Sequence, residues 1–161
     1  MIYFSFLLFV SAVFAQNNYC QFSRSNFAAN WTLTTNGIDI HLTYNNMEND
    51  NWIPIDFGDS LYKFSELSFV NENGQLTIST GSQNGPDDAY SDDDTSQATV
   101  HYATLNGKVL NAFVTLPLSF NGNDMTSCQT WTFSDIDNYD QSESGPSTLV
   151  TIPNVCPSKC T

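Results

Sequence analysis

From Phe27 onward the chain alternates apolar and polar residues in short bursts with a period of two. Phe27 to Thr34 sets Ala29, Trp31 and Leu33 on one face. Ile38 to Tyr44 sets Ile38, Ile40, Leu42 and Tyr44 inward and leaves Asp39, His41 and Thr43 outward. Trp52 to Phe57 alternates Trp52, Pro54 and Asp56 against Ile53, Ile55 and Phe57, and Leu67 with Phe69 and Leu76 with Ile78 and Thr80 continue the pattern. Further along, Gln97 to Leu105 sets Ala98, Val100 and Tyr102 against Thr99, His101 and Ala103. Val109 to Leu118 is apolar on both faces, as a central strand would be, and is closed by Pro117, which has no N–H to donate. Gln129, Trp131 and Phe133 mark another strand, and Ser147 to Pro153 a last one. A period of two belongs to half-buried strands, and no stretch sustains the 3.6-residue period of a helix.

The punctuation agrees. Asn36-Gly37, Asn73-Gly74 and Asn106-Gly107 read as hairpin turns, because Asn and Gly tolerate the positive φ angles that such turns use. Gly58 is expected to end the Trp52 strand, with Asp59 and Ser60 turning the chain and Leu61 and Tyr62 aimed back over a sheet face. Trp31, Trp52 and Trp131 are expected in the core. Residues 135–146 read as a flexible excursion. These signals predict an all-β fold, an antiparallel immunoglobulin-like β-sandwich of about 8–11 short strands, in one domain over residues 16–161.

Residues 1–15 are an apolar run ending in Val13-Phe14-Ala15. The run is too short to span a membrane comfortably and has the small-x-small ending of a cleaved leader, which predicts a secreted, extracellular protein starting near Gln16. Four cysteines follow, an even number that favours two disulfides in an oxidising compartment, and their spacing is not that of a zinc site. Cys20 and Cys128 are each expected to pair with one of Cys156 and Cys160, since long links restrict the unfolded chain most. The rival is a local Cys156–Cys160 bridge. Asn30-Trp31-Thr32 is a sequon, so secretion predicts a glycan on Asn30.

Seventeen Asp and Glu against four Lys and Arg give a net charge of −13. Such a surface repels nucleic acid and anionic membranes. Five of the acids, Asp87, Asp88, Asp92, Asp93 and Asp94, fall in one loop, and their hard oxygens make them candidate Ca²⁺ ligands. Their spacing is not that of an EF-hand, and a solvated, self-repelling loop is the favoured reading.

The run Trp52 to Phe57, Gly58, a small polar pair and then Leu61 resembles the signature of the DOMON domain. Gly85-Pro86-Asp87-Asp88 before a strand, the Asn106-Gly107 hairpin, the Lys108–Leu118 strand with its Phe113, and Asn123-Asp124 are similar to later parts of the same family. The four cysteines, with Pro153 before the last two, look like those of secreted nematode members. The resemblance implies a sandwich that binds haem or sugars. In the family a Met often ligates haem b at the place of Leu61, with a His late in the chain. Here Leu61 has no donor atom and residues 143–153 hold no His, so no cofactor is expected. A replacement pair would have to come from Met47 or Met125 with His41 or His101. Where the family often has Arg in the Phe strand, this chain has Thr115.

No G-x-S-x-G elbow is present, and His41 and His101 fall on outward strand positions, so no catalytic residue is expected. The function expected is a secreted binding module without catalysis, for a carbohydrate, a small apolar ligand or another extracellular protein. The alternative is a haem-binding electron-transfer domain.

Overall fold

The computed structural model describes residues 20–60, 62–137 and 148–161. Leu61, the apolar run 1–15 expected to be a leader and most of the 135–146 excursion lie outside these. Among the described residues thirteen strands follow one another: β1 (Gln21–Arg24), β2 (Phe27–Leu33), β3 (Ile38–Asn45), β4 (Asn51–Ser60), β5 (Lys63–Glu72), β6 (Gln75–Gln83), β7 (Ser91–Asp92), β8 (Thr99–Asn106), β9 (Val109–Leu116), β10 (Ser119–Phe120), β11 (Asn123–Asp124), β12 (Gln129–Asp135) and β13 (Thr148–Val155). The count exceeds the one expected because β7, β10 and β11 are two-residue pieces. One 3-10 turn, Pro157–Lys159, ends the described chain. None of the described helical structure is long and apolar enough to cross a membrane.

The strands form two antiparallel sheets, β1-β2-β3-β9-β8 and β13-β12-β4-β5-β6-β7, with β10-β11 as a small ribbon. Alternation explains the sandwich. Ile38, Ile40, Leu42 and Tyr44 of β3 and Leu110, Ala112, Val114 and Leu116 of β9 are buried from one sheet, and Ile53, Ile55, Phe57, Leu67, Phe69, Trp131 and Phe133 from the other. Fully burying one such side chain stabilises the fold by about 1.5–3 kcal/mol. The aromatic rings interlock across the gap, Trp31 on Trp131 at 4.8 Å and Phe27 on Phe133 at 5.9 Å.

Several local expectations are corrected. Strand β9 alternates strictly, with Val109, Asn111, Phe113 and Thr115 half-buried on the outer face, so it is central without being apolar on both sides. Trp52 is half-buried and outside the core cluster, because its parity puts it with Pro54 and Asp56 on the outer face. Strand β4 runs through Gly58 to Ser60 with an irregular register after Phe57, and the turn falls between Ser60 and Lys63. Tyr62 is exposed there and does not fold back over a sheet. Pro54 sits within a central strand, and the β4–β12 ladder lapses beside it, between Ile55↔Phe133 and the Trp52↔Ile136 bridge. A missing N–H is harmless where no ladder bond is made.

Of the three expected hairpin pairs, Asn73-Gly74 has both residues at positive φ (52° and 80°), as has Asn121-Gly122 (48° and 77°) between β10 and β11. Gly107 is positive alone, and Asn36-Gly37 uses neither. Gly37 is required for space: a Cβ there would lie 2.2 Å from the Leu116 carbonyl oxygen and 2.8 Å from Thr115 Cγ2. The excursion also starts later than expected. Asp135 is buried, accepting hydrogen bonds from Tyr44 Oη and from Asn51 Nδ2 (2.9 Å), and Ile136 exchanges two 2.9 Å backbone bonds with Trp52. Burial and the Asp135 carboxylate together push the Tyr44 hydroxyl well above the ordinary tyrosine range.

Disulfides join Cys20 to Cys160 and Cys128 to Cys156, so each upstream cysteine reaches one of the terminal pair. Backbone bonds reinforce the first clasp, from Trp31 N to Cys20 O (2.9 Å) and from Leu33 N to Cys160 O (2.6 Å).

Candidate ligand-binding surface

The outer face of the five-stranded sheet carries a row of side chains set by register. Asn30 of β2 lies opposite His41 of β3, and His41 opposite Phe113 of β9. The row continues onto β8 only because that strand is irregular. Its register with β9 slips between Val100 and Tyr102, so Val100 faces Val114 and Tyr102 faces Phe113, with His101 as the extra residue. An extra residue reverses the faces beyond it. Tyr102 therefore leaves the side of Val100, where simple alternation places it, and joins His101 on the outer face.

Three rings stack as a result. His41 lies against Phe113 with centroids 4.1 Å apart and planes 6° from parallel, and His101 covers the other face of Phe113 at 4.2 Å and 24°. Tyr102 stands at 6.0 Å from Phe113, tilted by 60°, and is 47% exposed. The stack occupies both faces of Phe113, so the open ring at this end of the row is that of Tyr102.

A hydrogen-bonded chain runs beside the stack. Thr115 Oγ1 donates to Asp39 Oδ1 (2.6 Å), and His101 Nε2 lies 2.8 Å from the same hydroxyl oxygen. A hydroxyl has one proton; since it goes to the carboxylate, His101 must donate through Nε2. Thr115 thereby fixes the imidazole. At the other end of the row, Asn30 and His41 help to line a cleft of about 700 Å³ bounded by Phe22 of β1 and Ile152 of β13. A second cleft, of about 450 Å³, lies at Gly58, Phe64 and Asn121.

The remaining candidates are dispersed. Met47 and Met125 are buried between the sheets, whereas His41 and His101 are on the outer face, so the five-stranded sheet separates both thioethers from both imidazoles. That arrangement does not fit axial Met/His ligation of a haem iron. The five loop acids do not converge. Asp93 Oδ2 accepts from Thr80 Oγ1 (2.5 Å), Gln97 Nε2 (3.1 Å) and Asn121 Nδ2 (3.1 Å), while Asp92 Oδ1 lies 3.2 Å from Tyr90 Oη. Asp87, Asp88 and Asp94 complete no site with them, and among the described residues no three His, Cys, Asp or Glu are grouped to hold a metal ion. Asn30 and Thr32 of the sequon are both exposed.

Sequence reasoning passed over Phe113 as a binding element and Glu66 altogether. The outward parity of Phe113 was the available signal. Glu66 gave none, since a glutamate on the polar side of a strand reads as solvated.

No family model matches the sequence. Three proteins named as DOMON domain-containing are similar to it. Y73F4A.2 of Caenorhabditis elegans is 32% identical over 126 residues, covering 74% of this chain and 74% of its own length. CBG21753 of Caenorhabditis briggsae is 27% identical over 124 residues, covering 73% and 74%. Y73F4A.1 of Caenorhabditis elegans is 25% identical over 117 residues, covering 70% and 64%. With an all-β fold of two antiparallel sheets and a relative this similar over most of both chains, the chain belongs to the DOMON domain family.

Proposed function

We propose that this protein is a secreted, non-catalytic binding module that takes a carbohydrate on the outer face of its five-stranded sheet, at Tyr102. The observation that carries the reading is an exposed tyrosine braced from behind by the His41–Phe113–His101 stack. A rigid ring with an open face accepts the apolar face of a sugar ring at little cost in side-chain entropy. Asp39, Thr115 and His101 provide donors and acceptors beside it for sugar hydroxyls. The space between the sheets is less suited to a ligand, being filled by Trp131, Tyr44 and several phenylalanines. Two disulfides support an oxidising, extracellular setting. Against catalysis, the Thr115 proton is committed to Asp39 and His101 is a donor to that oxygen, so the imidazole is not placed to activate the hydroxyl.

Binding of the purified protein to a glycan array tests the proposal. At least one class of glycan should be retained, and Tyr102→Ala should weaken it about tenfold, the worth of one aromatic contact of ~1.4 kcal/mol, with an unchanged melting temperature. An array with no binding, or Tyr102→Ala binding as tightly as the wild type, overturns it.

A further inference from the structure

The opposite outer face, that of the six-stranded sheet, holds a pair of acids that the binding surface does not use. Register sets Asp56 of β4 beside Glu66 of β5, and Glu66 beside Gly81 of β6, which pairs in turn with Asp92 of β7. Glu66 is only 3% exposed, and Asp56 Oδ1 is buried without a hydrogen-bond partner. The two carboxyl groups act on one another across the β4–β5 pairing. Carboxylate oxygens only accept, so a direct bond between them needs a proton on one of the pair.

A lid covers the pair. Tyr90 reaches over Gly81 and donates its hydroxyl to Glu66 Oε1 (3.0 Å), with Asp92 Oδ1 at 3.2 Å and Phe64 stacked beside the ring at 6.5 Å. Gly81 makes this approach possible, since a Cβ there would be 2.3 Å from Tyr90 Oη. The segment carrying Tyr90 is the acidic one, and it covers the free edge of β6 through Gly81↔Asp92, Ser82↔Ser91 and a 2.8 Å bond from Asp93 N to Thr80 O.

We infer that Asp56, Glu66 and Tyr90 form a proton-operated latch that holds the acidic segment 84–97 over the β6 edge and releases it when the carboxyl pair ionises. The groups that act on Glu66 are Asp56 from β4, Tyr90 and Asp92 from the segment and Ser68 from its own strand; none is a cation. Thr132 of β12, beyond Asp56, and Gly81 of β6 are uncharged. A second negative charge here therefore gains only the hydrogen bonds of Tyr90 and Ser68, against burial and the repulsion of Asp56 and Asp92. Burial, then the neighbouring Asp56, pushes Glu66 up to about 8, and burial pushes Asp56 up to about 7. Because the folded state holds these protons more tightly than the unfolded chain, the latch is intact at acidic pH. Its contribution falls as pH rises from the ordinary carboxylate range to about 8.

Hydrogen exchange of the intact protein, read as protection factors for 84–97 at about pH 6 and about pH 9, tests this. Protection should drop at least about tenfold at the higher pH, the factor that one pKa unit represents, while β3 and β9 stay protected. Glu66→Gln should keep its protection at both values, because the amide can donate to Asp56 and still accept from Tyr90 without a proton to lose. Tyr90→Phe should be poorly protected at both. Wild-type protection that does not change with pH, or a Glu66→Gln protein that opens as the wild type does, overturns the latch. If Glu66→Gln does not fold, the wild-type profile and Tyr90→Phe decide it alone.

Discussion

Asn30 has its place on the surface fixed by three neighbours. Ala29 and Trp31 on either side are buried, which turns Asn30 outward between Gln21 and His41 at the head of the stacked row. Thr32, which completes the sequon, is exposed on the same face. Expression in a secretory host should therefore give a protein whose mass falls on glycosidase digestion, and Asn30→Gln should abolish the difference. A wild-type mass unchanged by digestion would count against both the glycan and passage through the secretory pathway. The glycan would start beside His41, at the opposite end of the row from Tyr102. It leaves the proposed ligand's ring open, and Asn30→Gln should not weaken binding on the array.

Elements are where the sequence was both most and least legible. Strands β2, β3, β5, β6 and β12 follow from alternation alone, since burying one face of a strand fixes every second residue. What alternation cannot see is a slip in register. The extra residue in β8 moves Tyr102 to the face of His101, and the irregularity after Phe57 carries β4 beyond Gly58; both are set by how a strand pairs with the next one in its hairpin, which alternation within one strand does not report. Turn chemistry was legible as position but not as cause. Asn36-Gly37 does turn the chain, yet its glycine is needed because the loop lies against β9. Gly37→Ala is accordingly expected to destabilise the protein by about 1–3 kcal/mol through overpacking against Leu116 and Thr115. Gly74→Ala, with nothing within 4 Å, should cost only the smaller penalty of a positive φ. Urea unfolding of both variants checks the order, and a larger loss at Gly74 would reverse the explanation. The binding surface was less legible than the sheets that carry it. His41 and His101 were read as outward and unrelated, and only the β3–β9–β8 order brings them onto one phenyl ring.

For the molecule as a whole, the disulfides act at two ranges. Cys20–Cys160 spans 140 residues and Cys128–Cys156 spans 28. Loop-closure entropy grows with the logarithm of loop length, so the model gives about 5 kcal/mol for the first and about 3.5 kcal/mol for the second. Replacing Cys20 and Cys160 together by serine should lower stability more than replacing Cys128 and Cys156, as read from denaturant midpoints under non-reducing conditions. Equal losses would mean that local packing, and not chain restriction, dominates.

The longer clasp also has a geometric consequence. The α-carbons of Cys20 and Cys160 are 5.5 Å apart, so the polypeptide enters and leaves the sandwich at nearly one point. A unit with that property can be set into a surface loop of a host protein without prising the loop's ends apart. The Tyr102 surface would then be presented by a cassette whose attachment points are held by a covalent bond, whatever polypeptide stands on either side.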